Sequence, residues 1–304
     1  LLTFGEAPDP DVAADMVLIR VELVSIEAID LVKLALYRRG LVEVPGCGVV
    51  GCQASGTIVA AGTEVSRFSV GDRVVAYHGC GSHAELFAAP EASTWHLPDG
   101  LDPGIGAATH DTLNARGRLQ AGETILINHV TSSLGIIALQ LALAAGARVI
   151  GIARDPFCHE RLRKIGLVDM LSAGRDDVIA GCLELTGGRG VDFVFDVSAG
   201  ERFAQLARLV VPGGRYAALS ATGMLTDIGY GMDGAAPELH RLTIMPAAPM
   251  RDPEVHAQVA RMLERIAGGD LLLPIEHEFA LCEAAEAYEF ILGGRPFGHV
   301  VMRP

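Results

Sequence analysis

Aromatic residues make up only 5% of the 304-residue chain, with a single Trp, which leaves no obvious stacking platform for a large planar ligand. Basic residues are in deficit: 24 Lys and Arg against 37 Asp and Glu give a net charge of −13. Nucleic acid and anionic membranes select clustered Lys and Arg, so no nucleic-acid partner and no membrane partner is expected. An anionic cofactor is still admissible, because backbone donors outweigh global charge at short range. No apolar run reaches the roughly 18 residues of a membrane span. The sequence begins Leu1-Leu2-Thr3, with neither an initiating Met nor a signal peptide, so the natural N-terminus is expected upstream.

CxxC pairs are also missing, as is any closely spaced Cys quartet. The six cysteines (Cys47, Cys52, Cys80, Cys158, Cys182 and Cys282) are scattered through a chain too large to need staples. They read as reduced thiols, which places the protein in the cytoplasm. Cys47, Cys52 and Cys80, with nearby His78 and His83, come nearest to a ligand set. Their spacing fits no structural zinc pattern, and no metal is expected.

What is present is a chain half hydrophobic, carrying 36 Gly, as expected where many strands meet helices through tight turns. Residues 16–29 (MVLIRVELVSIEAI) alternate as a strand does, and short runs with Gly and Pro punctuation follow, so the first third reads as a compact all-β unit. After Gly104 the texture changes. TILINHV, RVIGIA, VDML, VDFVFDVS and RYAALSA read as strands; SSLGIIALQLALAAG, DPFCHERLRKIG, DDVIAGCLELTG and ERFAQLARLVVPGG read as intervening helices. That alternation predicts a doubly wound parallel sheet. PEVHAQVARMLERIAGG is one more amphipathic helix, and the tail ends in a strand.

The turn in INHVTSSLG (127–135) lies between an apolar strand and an apolar helix, where phosphate cradles are usually rich in glycine. Only Gly135 is a glycine here; Ser132 and Ser133 stand where others are expected. A serine narrows the approach with its Cβ but brings a hydroxyl that donates to phosphate, and the helix amides remain. A modified cradle and a retained fold with a decayed cofactor site are both consistent with this. A nucleophile elbow at Ser133 is the weakest reading: Thr131 fills a glycine place, and no convincing His and acid follow in the expected positions.

Four stretches carry a resemblance to a known family. GTIVAAGTEVSRFSVGDRVVA, LQAGETILI, the pair GVDFVFDVSAG and LVVPGGRYAALS, and HEFALCEAAEAYEFILGGRPFGHVVMRP resemble the medium-chain dehydrogenase/reductase superfamily over nearly the whole chain. Within it the sequence looks most similar to the zinc-independent quinone oxidoreductase and enoyl reductase branch. Zinc members carry G-H-E where this chain has Gly51-Cys52-Gln53, and a metal-binding Cys near the place of Glu27. The four-cysteine lobe is missing. The resemblance implies an α/β fold: a GroES-like β domain (1–104 and 251–304) plus a Rossmann doubly wound parallel sheet domain (105–250). It further implies NADPH in the cleft between them, a small-molecule substrate and a homodimer built through edge strands near LTIMPAAP.

The resemblance also implies site residues. Thr131, Ser132, Ser133, Leu134 and Gly135 take the pyrophosphate turn, Val197 follows the fourth Rossmann strand and Ser220 the fifth. The acidic position that grips the ribose of NAD falls on Arg154, which favours the 2′-phosphate of NADPH; a surface charge is the plainer reading, and Asp155 would restore an acid with a one-residue shift. Arg161 or Lys164 substitutes for the family's usual Lys. The N-x-x-D motif becomes Glu27-Ala28-Ile29-Asp30, and Val42 occupies the place of the proton-donating Tyr. That leaves Tyr37 nearby, or water, as the proton source; Glu27 near a nicotinamide requires protonation or a partner, or else it is a solvent-facing strand residue. Thr109 is expected near the nicotinamide. His110 either lines the cleft as a titrating group or caps a helix.

Overall fold

The computed structural model describes residues 2–41, 43, 48–98, 117–154, 156–197, 202–218, 243–245, 253–294 and 296–304. Two compact units emerge: Leu1–Ile105 with Pro249–Pro304, and Gly106–Ala248.

The first unit is built on a sheet. Its elements are β1 (Met16–Ser25), helix α1 (Ala28–Arg38), β2 (Gln53–Ala61), β3 (Arg73–Tyr77), β4 (Leu86–Pro90) and β5 (Thr94–His96). β1 pairs antiparallel with β2 and β4, and β2 with β3, which pairs with β5. Val17, Ile19 and Val21 alternate inward on β1 and pack with Ile58, Val74 and Phe87. That period-2 burial is what the sequence alternation foretells. The alternation does not run on to residue 29, however. The strand stops at Ser25, and the all-β reading of the first third gives way to the eleven-residue α1. Its sequence, AIDLVKLALYR, has no Gly or Pro, and Asp30 Oδ2 accepts the Glu27 N–H at 2.9 Å to start the helix.

The second unit holds β6 (Thr124–Asn128), α2 (Ser133–Ala144), β7 (Arg148–Ala153), α3 (His159–Ile165), β8 (Asp169–Ser172), α4 (Val178–Leu185), β9 (Val191–Asp196), α5 (Phe203–Ala207), β10 (Val210–Ala218) and β11 (Thr243–Met245). The strands are parallel in the order β11-β10-β9-β6-β7-β8. β6 and β9 are fully buried, as near-continuous apolar runs in a two-sided parallel sheet should be. The chain winds one way from β6 to β8 and then returns to place β9 on the other side of β6. The carboxyl ends of β6 and β9 therefore form a topological switch point, where ligands of such sheets bind. The helix read over ERFAQLARLVVPGG is cut short at Ala207. β-branched Val210 and Val211 join the strand instead, with Pro212 at a register shift in the ladder.

The C-terminal return completes the first unit with α6 (Pro253–Ala267), β12 (Ile275–Ala280), α7 (Ala284–Leu292) and β13 (His299–Arg303). β13 pairs with β1 through Val24↔Met302 and Ser25↔Val301. α6 docks on β5, where Trp95 stacks on His256 with ring centroids 4.7 Å apart. The indole Nε1 donates to the His256 carbonyl at 3.0 Å.

Candidate functional site

In the first unit, α1 carries Glu27, Asp30, Lys33 and Tyr37 at spacings of three, three and four from its N-cap on, the spacing that groups side chains on one helical face. Asp30 is buried and Tyr37 half-buried. Facing them, Cys52 is fully buried at the entry to β2. Gly51 has φ +91°, and a Cβ there would run into the His83 ring; glycine lets that ring lie against the backbone that delivers Cys52. Lys33 Nζ donates to Cys52 Sγ at 3.0 Å and also to the Gly79 carbonyl. Tyr288 from α7 meets His83 Nε2 at 3.1 Å, and His83 Nδ1 lies 3.2 Å from Ser82 Oγ.

Glu27 belongs to a second string of contacts. Ser25 Oγ donates to Glu27 Oε1 at 2.6 Å and lies 3.1 Å from His299 Nδ1. Burial pushes the Glu27 carboxyl up to about 7, against the opposing Ser25 hydrogen bond. Burial likewise raises Asp30 to about 6, although the Glu27 backbone N–H favours its carboxylate. Burial drives His299 down to about 4 and His83 to about 3, and it raises the Cys52 thiol, with Asp30 adding to the rise and Lys33 opposing it. Asp30 Oδ1, Gln53 Nε2 and His299 Nε2 are among the buried side-chain atoms of the described residues that have no hydrogen-bond partner. Two acids near neutrality, neighbouring neutral imidazoles and orphaned polar atoms are unusual in a purely structural core. The arrangement can hold and release a proton near pH 7.

In the second unit, the β6–α2 turn is closed by its own serine. Ser132 is the N-cap of α2: its Oγ accepts the Gly135 N–H at 3.1 Å and donates to the His129 carbonyl at 2.8 Å. That satisfies one of the helix's initial amides from within the chain. Gly135 is buried against the turn. A Cβ there would collide with the His129 carbonyl oxygen and lie 2.8 Å from the Val130 Cα. Thr131 and Leu134 are half-buried and Ser133 is buried.

At the switch point, Asn128 Nδ2 donates to Asp196 Oδ1 at 2.8 Å, and the Tyr216 hydroxyl donates to Asp196 Oδ2. His129 holds a left-handed backbone, φ 60°, and its Nδ1 has no partner. Burial lowers its pKa; Asp196 opposes this, while Arg154 and Arg202 reinforce it. Arg154 directly follows β7 and is exposed, and Arg202 donates to the Ala173 carbonyl at 2.9 Å beyond β8. Val197 is buried immediately after β9.

The structure thus brings Glu27 and Tyr37 onto α1, and Thr131, Ser132, Ser133, Leu134, Gly135, Arg154 and Val197 to the strand ends of the second unit. Thr109, His110 and Ser220, with Val42, Cys47 and Asp155, lie outside the described residues. Sequence reasoning missed the Lys33–Cys52 contact, the Ser25–His299 contact and the Asn128–Asp196–Tyr216 cluster. An acid ending the apolar run VDFVFD was a visible signal for Asp196; His299, 274 positions from Ser25, offered none. Among the described residues no three His, Cys, Asp or Glu side chains converge as a metal site would require, and no helix is long and apolar enough to cross a membrane.

Comparison with known proteins is consistent with this geometry. Residues 13–99 match the alcohol dehydrogenase GroES-like domain, and residues 133–265 the zinc-binding dehydrogenase family. A quinone oxidoreductase of Pseudomonas aeruginosa is 30% identical over 279 residues, covering 88% of this chain and 86% of its own. A phenolphthiocerol/phthiocerol polyketide synthase subunit of Mycobacterium tuberculosis is 28% identical over 84% of this chain, which corresponds to only 12% of that much longer protein. Among solved structures, Escherichia coli quinone oxidoreductase complexed with NADPH superposes with a TM-score of 0.85 at 20% identity, covering 99% of this chain and 95% of that one.

Proposed function

The chain is an oxidoreductase of the medium-chain dehydrogenase/reductase superfamily, in its quinone oxidoreductase and enoyl reductase branch. From that premise we propose an NADPH-dependent, metal-independent reductase of a quinone or an α,β-unsaturated carbonyl. The observation that carries the cofactor assignment is Arg154 standing directly behind β7, where an acid would repel a 2′-phosphate. The turn fits a dinucleotide in that Gly135 lets α2 close onto the strand end, with Thr131, Ser132, Ser133 and Leu134 beside it. Val197 and Ser220 serve the same ligand, and Thr109 its nicotinamide. When bound, the nicotinamide supplies a hydride to the conjugated substrate. Glu27, neutral up to about pH 7, supplies the proton; Tyr37, raised above the ordinary phenol range by burial, and His110 assist. Metal independence is supported by Lys33, whose ammonium already engages the sulfur of Cys52. The substrate is a small molecule, and the working form is a cytoplasmic homodimer.

The Ser132 cap favours a second reading, a non-redox descendant serving as a binding module or a cofactor-free enzyme. Its hydroxyl takes the Gly135 amide that a diphosphate would otherwise use. One titration separates the two. Nicotinamide fluorescence should report micromolar NADPH binding and much weaker NADH binding, and chelator-treated protein should then oxidise NADPH with a quinone or an enoyl thioester. If neither dinucleotide binds, the reductase reading is lost and the non-redox one stands.

A further inference from the structure

Ser25 ends β1 and is clamped from both sides: it pairs with Val301 of β13 and with Gln53 of β2. His299 opens β13, and its own N–H donates to the Pro274 carbonyl at 2.8 Å. Neither side chain is free to wander, since Ser25 is 1% and His299 2% exposed. Glu27 stands two residues beyond Ser25, with its side chain 12% exposed. The three therefore form a fixed row running from a nearly sealed interior to a partly open edge.

Hydrogen-bond arithmetic sets the protons along this row. Ser25 has one hydroxyl proton and gives it to Glu27 Oε1 at 2.6 Å. The contact of Ser25 Oγ with His299 Nδ1 at 3.1 Å then requires the imidazole to be the donor. His299 is accordingly the Nδ1–H tautomer, and its partnerless Nε2 is a bare lone pair. Protonating the ring would place an unpaired N–H in the interior, which opposes the imidazolium. At 3.8 Å from Glu27 Oε1, the neutral ring is no counter-ion. The other groups facing Glu27 do not offer one either. Asp30 on α1 and the Tyr77 phenol of β3 are acids, and Lys33 beyond Asp30 is bonded to Cys52 and to the Gly79 carbonyl.

We propose that Ser25 and His299 are positioning residues that hold Glu27 as the proton donor, with its transferable proton on Oε2, the oxygen that Ser25 leaves unbonded. This deepens the reductase reading and rests on it. In the reaction the Glu27 Oε2–H bond breaks, and a new O–H or C–H bond forms on the substrate that has accepted the hydride. Glu27 is left as a carboxylate, which Ser25 stabilises through Oε1, and water then returns the proton at the exposed edge.

The test is a pH titration of full-length protein labelled with 13C at the glutamate side-chain carboxyls, followed by NMR alongside the pH profile of quinone reduction. One carboxyl should titrate near 7 and vanish from the spectrum in Glu27→Gln. Ser25→Ala removes a hydrogen bond that favours the carboxylate, so that titration should move up by about one unit, and the alkaline limb of kcat should move with it. Ser25→Thr should restore both. Nitrogen-15 spectra should show His299 with Nδ1 protonated and Nε2 bare. Titration of Glu27 in the ordinary carboxylate range, or an unmoved midpoint in Ser25→Ala, overturns the proposal. A carboxyl that shifts while the kcat limb stays put overturns it as well. A protein that reduces neither a quinone nor an enoyl thioester defeats the reductase reading on which the proposal rests, whereas the carboxyl and imidazole spectra report on the row alone.

Discussion

The polar face of α1 and the first turn of α2 do comparable work by opposite means. At α2, the groups are satisfied by near neighbours in the chain: Ser132 serves Gly135 and His129, each three residues away. At α1, local bonds from Asp30 to the Glu27 N–H and from Ser25 to Glu27 are joined by partners from afar. Cys52 is 19 positions from Lys33, Gly79 is 46, and His299 is 274 from Ser25. Local closure satisfies the helix start from within the turn, although it leaves the buried His129 Nδ1 without a partner. Distant closure is imperfect: it leaves Asp30 Oδ1 and His299 Nε2 without partners, and carboxyls titrating near neutrality. Imperfect satisfaction is where acid–base chemistry becomes available.

The comparison can be broken most forcefully at Gly135. Gly135→Ala drives a Cβ into the His129 carbonyl, so urea unfolding of the second unit should show a loss of about 3 kcal/mol. At α1, Glu27→Gln should lower kcat for quinone reduction by about 100-fold, with the fold of the first unit intact by circular dichroism. The same variant tests linkage. A carboxyl whose folded pKa is raised to about 7 favours folding most below its unfolded value, and that contribution is lost as pH rises from about 4.5 through 7. Wild-type stability should therefore decline over that window by an amount on the order of 2–3 kcal/mol that Glu27→Gln does not show. Arg154→Gln should reduce the preference for NADPH over NADH about tenfold in fluorescence titration, leaving NADH affinity nearly unchanged. The smallest stability effect belongs to Ser132→Gly, a few tenths of a kcal/mol, because glycine is a tolerable N-cap. It frees the Gly135 amide, and dinucleotide binding should tighten measurably by calorimetry.

The same contrast explains what could be read in advance. The parallel sheet was legible because TILIN, RVIGIA and VDFVFD are short apolar runs between helical stretches, and that pattern admits few arrangements. The turn at Ser132 and Gly135 was legible as a place, since it joins a strand to a helix. Helix α1 was not, because its start depends on Asp30 reaching back to the Glu27 N–H, a bond that strand-like alternation upstream conceals. Nor was the setting of Glu27. A glutamate after a strand reads as solvent-facing until β13 lays His299 beside Ser25 from the far end of the sequence. Pattern reports which residues share a face; it does not report which distant strand covers that face.

The chain's lone tryptophan gives the two units separable spectroscopic signatures. Trp95 lies in the first unit, pressed on His256 of the returning segment. Its emission is thus a built-in gauge of whether the C-terminal return has come home to the N-terminal sheet, whereas the second unit carries no tryptophan and its loss of order would have to be recorded separately, by far-ultraviolet dichroism.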